Sequence, residues 1–278
     1  MPGYDDVFKA IAINAVKLNP PEEGDYFDEN GNLICGKCHT PRSERKEFFG
    51  EIMDLSIPCK CRQEAELLER HKEKVRNLHK RSGIPIKFEK ASFDTLMPDP
   101  ENSRSVKIVK RYAETFPERF KKNEGLLIYG SVGSGKTHIA VCAANEIIEK
   151  EYSVLFVSMP EYLQGKKSFE LQEEELLDRV KHVSLLIIDD LGAERNTGFA
   201  QEFVYAVINA RVNSGKPMIV TTNLEFEEMI DSSDIQYRRI YNRVFESCSF
   251  PVSFTGKSKR LLIAEQKYDS IERIFEED

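Results

Sequence analysis

Residues 130–137, Gly-Ser-Val-Gly-Ser-Gly-Lys-Thr, constrain the fold of this chain more than any other stretch. The apolar run LLIY precedes them and the run HIAVCAANEII follows them, so a glycine-rich loop joins a predicted strand to a predicted helix. Glycines allow consecutive backbone N–H groups to face one phosphate group, and the N-terminus of the helix adds its dipole. The stretch therefore predicts a phosphate-binding loop within an α/β fold.

The loop matches the full pattern G-x-x-x-x-G-K-[ST] through Gly130, Gly135, Lys136 and Thr137. We expect Lys136 to place a cation on the β- and γ-phosphates of a nucleotide, and the Thr137 hydroxyl to coordinate Mg²⁺. A glycine turn that matches by chance is the alternative, and the flanking strand and helix argue against it. The residues predicted to bind the nucleotide are Gly130, Ser131, Val132, Gly133, Ser134, Gly135, Lys136, Thr137 and His138.

Two carboxylates end the stretch LLIIDD at residues 185–190. Its four apolar residues predict a buried strand, and ligands of open α/β sheets bind at the carboxyl ends of strands. We therefore expect Asp189 to hold the Mg²⁺, directly or through water, and Asp190 to polarise the attacking water. In the alternative, both acids only cap the strand and solvate a loop. Glu194 is a weaker candidate for the role of Asp190.

A third polar strand end, VTTN at residues 220–223, follows another apolar run. The carboxyl ends of parallel strands meet at one edge of a sheet, so we expect Asn223 to contact the γ-phosphate or the attacking water as a sensor. Taken alone, the stretch would be an ordinary turn at the end of a strand.

From about residue 102 the sequence alternates between strands and helices, which predicts a parallel sheet covered by helices on both faces. Five strands are predicted, and the phosphate-binding loop follows the first of them. The predicted strands are LLIY (126–129), SVLFVS (153–158), SLLIID (184–189), PMIVTT (217–222) and FPVSF (250–254).

Four cysteines form two close pairs, Cys35-x₂-Cys38 and Cys59-x-Cys61. Two such pairs suit tetrahedral Zn²⁺, whose binding would also stabilise a small module. The second pair departs from the common C-x₂-C spacing, and His39 could replace one ligand. Buried free thiols are the alternative, but the segment GKCHTPRSERKE is too polar to bury them. The other cysteines, which lie in apolar surroundings and are predicted core residues, are Cys142 and Cys248.

The chain carries a formal net charge of −7, with 40% hydrophobic and 31% charged residues. These values describe an ordinary globular protein, and the negative charge argues against coating nucleic acid by charge alone, though not against a local basic groove. No apolar run reaches the length of a membrane span, and the first residues lack the order of a signal peptide. We therefore expect a cytoplasmic protein with no membrane partner.

Two basic stretches complete the set of motifs. YRRIYNRV places Arg239 and Arg243 on one helical face, and GKSKR places Lys259 and Arg260 after the last predicted strand. Arginines that only solvate a helix surface are the alternative.

With its motifs in this order, the region of residues 60–262 resembles the AAA+ ATPases. More narrowly it resembles the DnaC/DnaI helicase loaders and the IstB transposition ATPases, to which IIDDLGAE, VTTNL and RSGIPIKFEKASFD are similar.

The resemblance implies an ATPase with an AAA+ P-loop core and a five-stranded parallel sheet. It implies that Arg243 acts in trans on the nucleotide of a neighbouring subunit, so the protein would be a homo-oligomer once ATP is bound. It also implies that Arg260 acts in cis as a second sensor, with Arg239 as a helper. Arg211 falls where these proteins carry an arginine, and no role is assigned to it.

The resemblance also divides the chain. Residues 1–82 would be a small helical, zinc-binding module for partner docking, with a short helical pattern at Val7 to Leu18 and an amphipathic helix over residues 62–80. Packing on the ATPase domain is the alternative role for that helix. Residues 83–101 would be a connector, and residues 102–278 the ATPase domain.

The implied function is the ATP-dependent loading of a replicative hexameric DnaB-type helicase onto single-stranded DNA during replication initiation. An IstB-like ATPase helper of DNA transposition, and an adaptor that uses ATP only as a binding switch, are the alternatives. The sequence has no clear platform of aromatic and basic residues for DNA. The candidate contacts, for which a solvated loop is the alternative, are Lys166, Lys167 and Phe169.

Overall fold

The computed structural model describes residues 20–48, 51–97, 99–165, 173–195 and 197–276. The chain divides into two compact units, Met1–Glu73 and Lys74–Asp278. The helical pattern at Val7 to Leu18 and the candidate DNA contacts Lys166, Lys167 and Phe169 lie outside the described residues.

Strands and helices alternate through the second unit, as the sequence predicts. The strands are β1 (Tyr26–Phe27), β2 (Leu33–Ile34), β3 (Ser43–Phe48), β4 (Glu51–Ser56), β5 (Leu126–Gly130), β6 (Val154–Ser158), β7 (Leu185–Leu191), β8 (Met218–Thr222) and β9 (Phe250–Phe254). The helices are α1 (Lys60–Ser82), α2 (Ser103–Glu114), α3 (Phe116–Lys122), α4 (Lys136–Glu149), α5 (Met159–Leu163), α6 (Glu173–His182), α7 (Gly198–Asn213), α8 (Phe226–Ile230), α9 (Ile235–Ser247) and α10 (Lys259–Glu276).

The first unit contains two small antiparallel sheets, β1–β2 and β3–β4. Arg42 is buried beside them, and its guanidinium forms ion pairs with Asp25 and, at 3.0 Å, with Glu22. Because a buried charge is tolerated only when it is paired, these bonds fix the segment that precedes β1. Neither of these small sheets was predicted from the sequence.

The second unit is built on a five-stranded parallel sheet with the order β6-β7-β8-β5-β9. Its three central strands are almost wholly buried, which explains their nearly continuous apolar sequence. The predicted α/β core with five parallel strands is therefore confirmed. Because β8 lies between β5 and β7, the carboxyl ends of these three strands are neighbours at one edge of the sheet.

Helices cover both faces of this sheet. On one face α2, α3 and α4 bury apolar side chains such as Val109, Phe116 and Ile139 against the strands. On the other face α6, α7 and α9 do the same with side chains such as Val204 and Ile240. No helix among the described residues is long and apolar enough to cross a membrane.

Arg211 on α7, to which no role was assigned from the sequence, has a structural role. Its side chain is fully buried, and burial lowers its pKa to about 9. The guanidinium nitrogen atoms donate hydrogen bonds of 2.6–3.2 Å to backbone carbonyls that precede β7 and β8 or lie in and after α6. Arg211 therefore joins α6 and α7 to the amino ends of two strands, at the edge opposite the phosphate-binding loop. The accepting carbonyls belong to Val180, Val183, Ser184 and Pro217.

Candidate nucleotide-binding and metal sites

The predicted phosphate-binding loop connects β5 to α4. Gly130 and Gly133 have φ angles of 120° and 79°, which favour glycine. A Cβ atom would also lie 2.2 Å from the Phe254 carbonyl at the first position and 2.2 Å from the Ser258 Oγ at the second. The motif glycines therefore permit both the backbone turn and the close approach of the segment that follows β9.

Lys136, at the start of α4, is buried with 5% of its surface exposed. Its Nζ donates hydrogen bonds to the carbonyl oxygens of Gly130 (2.9 Å) and Ser131 (2.8 Å) and to the Oδ1 of Asn223 (2.7 Å). Burial lowers the pKa of the ammonium group, against the opposing charges of Asp190 and Asp189. The structure thus brings together Lys136 and Asn223, which are 87 residues apart in the sequence.

Asp189 and Asp190 lie at the carboxyl end of β7. Asp189 is 5% exposed, and burial raises the pKa of its carboxyl group to about 6, although hydrogen bonds from Thr221 and Thr137 oppose the rise. A buried carboxylate beside a hydroxyl suits Mg²⁺, whose charge would compensate for the lost hydration of the acid. Asp189 and Thr137, the residues predicted to hold Mg²⁺, are therefore neighbours.

Glu194 occupies a different environment from Asp190. It is 7% exposed, its Oε2 accepts a hydrogen bond from the Gly192 N–H at 2.8 Å, and burial raises the pKa of its carboxyl group. Burial raises the pKa values of Tyr237 and Tyr241 of α9, and the charge of Glu194 adds to the rise. The carboxylate is thus bonded to the backbone of its own loop, and Asp190 stays the predicted general base.

The GKSKR segment lies against the phosphate-binding loop. The Lys259 N–H donates to the Gly133 carbonyl at 2.9 Å, and the Ser131 N–H donates to the Phe254 carbonyl at 3.1 Å. Lys259 also forms an ion pair with Asp99 at 2.8 Å, a contact that was not predicted from the sequence. Arg260 is exposed, and its positive charge contributes to the lowered pKa of Lys136. The predicted second sensor is therefore close enough to affect the charge of Lys136.

The arginines of α9 are not part of this cluster. Arg243 forms an ion pair with Glu246 at 2.7 Å, and interaction with Glu246 and then with Tyr205 raises the pKa of its guanidinium group. Arg239 is exposed. The ion pair of Arg243 thus lies within α9 itself, and the hydrogen bonds described above for the nucleotide site involve neither arginine.

His138, the last predicted nucleotide-binding residue, follows Thr137 on α4. Its ring lies 5.7 Å from the ring of Phe88 in the predicted connector, and its pKa is lowered by burial and then by the charge of Lys259.

A second residue of α4, Asn145, also contacts the predicted connector: its Nδ2 donates to the Ala91 carbonyl at 2.7 Å. The connector is thus held on α4, a role for Asn145 that its position in an apolar helix did not indicate.

The four N-terminal cysteines form one cluster. Their Sγ atoms all lie within 4.8 Å of one another, with Cys35 and Cys61 at 3.7 Å and Cys59 and Cys61 at 3.4 Å. Four thiolates around tetrahedral Zn²⁺, with bonds of about 2.3 Å, lie about 3.8 Å apart. The cluster therefore fits zinc. His39 lies beside Tyr26, with its Nδ1 3.4 Å from the hydroxyl, and is not a member of the cluster.

The pKa values of two thiols in the cluster also favour a bound cation. Hydrogen bonding to the Thr40 hydroxyl lowers the pKa of the Cys38 thiol to about 5. Interaction with Cys59, and then with the other two sulfur atoms, raises the pKa of the Cys61 thiol to about 12. Four thiols this close cannot all ionise at neutral pH unless a cation compensates for the charge of the thiolates.

These features define the class of the protein. A phosphate-binding loop follows β5, a central strand of a parallel sheet. Paired acids lie at the carboxyl end of β7 and an asparagine follows β8, as in AAA+ ATP-binding domains. The family model described as IstB-like ATP binding protein matches residues 60–262. The chain therefore belongs to the IstB-like family of ATP-binding proteins, and the predicted resemblance to the DnaC/DnaI and IstB group is confirmed.

Two relatives are described as replicative helicase loaders. DnaI of Bacillus subtilis is 30% identical over 165 residues, which cover 55% of this chain and 51% of DnaI. DnaC of Escherichia coli K12 is 26% identical over 200 residues, which cover 70% of this chain and 79% of DnaC. The match to DnaI thus spans about half the length of that relative.

Two solved structures resemble the fold. The crystal structure of a DnaI has a TM-score of 0.53 at 26% identity, over 63% of this chain and 94% of the other. The crystal structure of a DnaC helicase loader has a TM-score of 0.51 at 25% identity, over 61% of this chain and 99% of the other.

Proposed function

We propose that this protein is an ATP-dependent loader of a replicative hexameric DnaB-type helicase onto single-stranded DNA during replication initiation, acting in the cytoplasm. The observation that carries the proposal is the agreement of two likenesses. The chain is similar to DnaI and DnaC, both named replicative helicase loaders, in sequence and in fold. The nucleotide-site residues come together as such an ATP switch requires.

ATP would bind with its phosphates on the backbone N–H groups of the loop, and Lys136 would move its donors from carbonyl oxygens to the β- and γ-phosphates. Asp189 and Thr137 would hold Mg²⁺, which neutralises charge on the phosphate oxygens. Asp190 would orient the attacking water and accept its proton, while Asn223 holds the water or the γ-phosphate. Arg260 would contact the phosphates in cis.

Assembly would complete the site. Arg243 is paired with Glu246 of its own helix, and we propose that it exchanges this partner for the γ-phosphate bound by a neighbouring subunit. A cation supplied in trans stabilises charge in the transition state and makes hydrolysis depend on assembly. We place Arg239 beside it as a helper.

The N-terminal residues would supply the docking function. We infer that residues 1–82 form a zinc-containing docking module, residues 83–101 a connector and residues 102–278 the ATPase domain. Cys35, Cys38, Cys59 and Cys61 would hold one structural Zn²⁺, since four sulfur ligands leave no open position for catalysis.

A transposition helper is the second candidate, because the family model that matches the chain is the IstB-like one. A binding experiment separates the two. The purified protein with ATP is mixed with the replicative helicase or with a transposase from the same cells, and complexes are measured by size-exclusion chromatography with light scattering. We expect a complex with the helicase and none with the transposase. Binding to the transposase alone would contradict the loader assignment and support the IstB-like role.

A further inference from the structure

Thr221 on β8 contacts both acids of the nucleotide site. Its side chain is fully buried, and its Oγ1 donates a hydrogen bond to the Asp189 Oδ1 at 2.7 Å. The same oxygen accepts a hydrogen bond from the Asp190 N–H at 3.0 Å. One hydroxyl group therefore satisfies the carboxylate of one acid and the backbone of the next.

The backbone of β7 is irregular at this point. Ile188 pairs with Val220 and Leu191 with Thr222, so β7 has one more residue than β8 between the two pairs. Asp190 lies in this bulge with a φ of 54°, a left-handed conformation that costs free energy for a residue other than glycine. Bulges are rare in parallel sheets and occur next to active sites, where they redirect a side chain.

The bulge removes the partner that the Asp190 N–H would have in a regular ladder, and the Thr221 hydroxyl replaces it. A buried N–H without a partner costs about 1–3 kcal/mol, so the hydroxyl stabilises the bulged conformation. Without it, the strand would gain by returning to regular pairing, which would turn Asp190 to another direction.

We infer that Thr221 is the positioning residue of the site: its hydroxyl holds the Asp189 carboxylate towards Mg²⁺ and the Asp190 backbone in the bulge that presents its carboxylate to the attacking water. This inference rests on the proposed ATPase function. Thr221 on β8 would thus orient both acids on β7, and Asn223, the predicted sensor, directly follows the same strand.

The adjacent Thr222 provides a matched control. It is equally buried, and its Oγ1 donates to the Leu191 carbonyl at 2.7 Å and accepts from the Leu224 N–H at 3.1 Å. Its hydrogen bonds in the described part of the chain are thus to backbone atoms beyond the two acids. Thr221→Val and Thr222→Val remove the same atoms from equally buried positions, but only the first removes a contact to the acids.

We expect Thr221→Val to lower the kcat for ATP hydrolysis by about tenfold or more, with KM for ATP within about twofold of the wild-type value. Thr221→Ser, which keeps the hydroxyl, should restore most of kcat. Thr222→Val should lower the melting temperature as much as Thr221→Val and leave kcat within about twofold. Equal kcat values for the two valine variants would overturn the inference.

A second measurement does not need hydrolysis. The Mg²⁺ concentration that gives half-maximal enhancement of the binding of a fluorescent ATP analogue should rise in Thr221→Val and stay unchanged in Thr222→Val. A wild-type protein that binds ATP without hydrolysing it would contradict the proposed ATPase function, while the Mg²⁺ measurement would still test the position of Asp189. An unchanged Mg²⁺ requirement in Thr221→Val would overturn the inference about Asp189 by itself.

Discussion

A protein that carries Cys35→Ser and Cys38→Ser together is expected to lose its zinc and the folded structure of its N-terminal unit. Apart from the cysteines, the buried apolar residues in the described part of that unit are Leu33 and Ile34. So small a core cannot offset the conformational entropy of the chain, and the binding of structural Zn²⁺ contributes about 10–16 kcal/mol in comparable small modules. Removing two ligands should therefore remove most of the stability of the unit.

The measurement combines zinc analysis with proteolysis. The wild-type protein should contain one zinc per chain and resist cleavage in residues 20–73, whereas the double variant should contain none and be cleaved there. ATP binding should persist, because the second unit has its own sheet and its own core. Cys142→Ala, at a buried cysteine of α4, is the control and should keep its zinc. A wild-type protein that contains no zinc would contradict a zinc site at the four cysteines.

The nucleotide site gives the second large effect. Lys136→Ala should weaken ATP binding by about a hundredfold or more, since charge-assisted hydrogen bonds to the phosphates are lost. Asp190→Asn should bind ATP with near wild-type affinity but hydrolyse it roughly 10²–10⁴ times more slowly, because a neutral amide cannot accept the proton of the water. Equilibrium binding and single-turnover hydrolysis measure the two effects separately.

Glu194→Gln is the control for Asp190→Asn, because it makes the same chemical change four residues further along the chain, in the loop that follows β7. Glu194 bonds to the backbone of Gly192 and lies towards α9, so its amide variant should hydrolyse ATP at a rate close to that of the wild type. The reverse pattern, with wild-type turnover in Asp190→Asn and none in Glu194→Gln, would transfer the role of general base to Glu194.

Sequence periodicity predicted the sheet of the second unit because buried parallel strands are apolar along their whole length. The strand ends at Asp189, Asp190 and Asn223 could be placed together for a related reason. Polar residues at the carboxyl ends of parallel strands share one edge wherever the strands pair as neighbours. The contact between Lys136 and Asn223 fits that reasoning.

Other features have no local signal in the sequence. The strand pair β3–β4 includes SERKEF, whose charges resemble those of a solvated loop, and β1 and β2 are too short to show alternation. Arg211 bonds to carbonyls at residues 180–184, a stretch that comes next to it only in the fold. The bulge at Asp190 depends on the Thr221 hydroxyl of the adjacent strand, so the sequence of β7 alone reads as a regular strand.

Circular single-stranded DNA has no end for a closed hexameric ring to enter, so it is the substrate on which the ATP-dependent placement of a helicase by this protein is measured. The measurement is the amount of replicative helicase that stays on the circles after a high-salt wash. Retention is expected with the wild-type protein and ATP, and only background retention with Lys136→Ala or without ATP. Helicase retention that is unchanged by the wild-type protein, or that is equal with Lys136→Ala, would contradict ATP-dependent placement of the helicase by this protein.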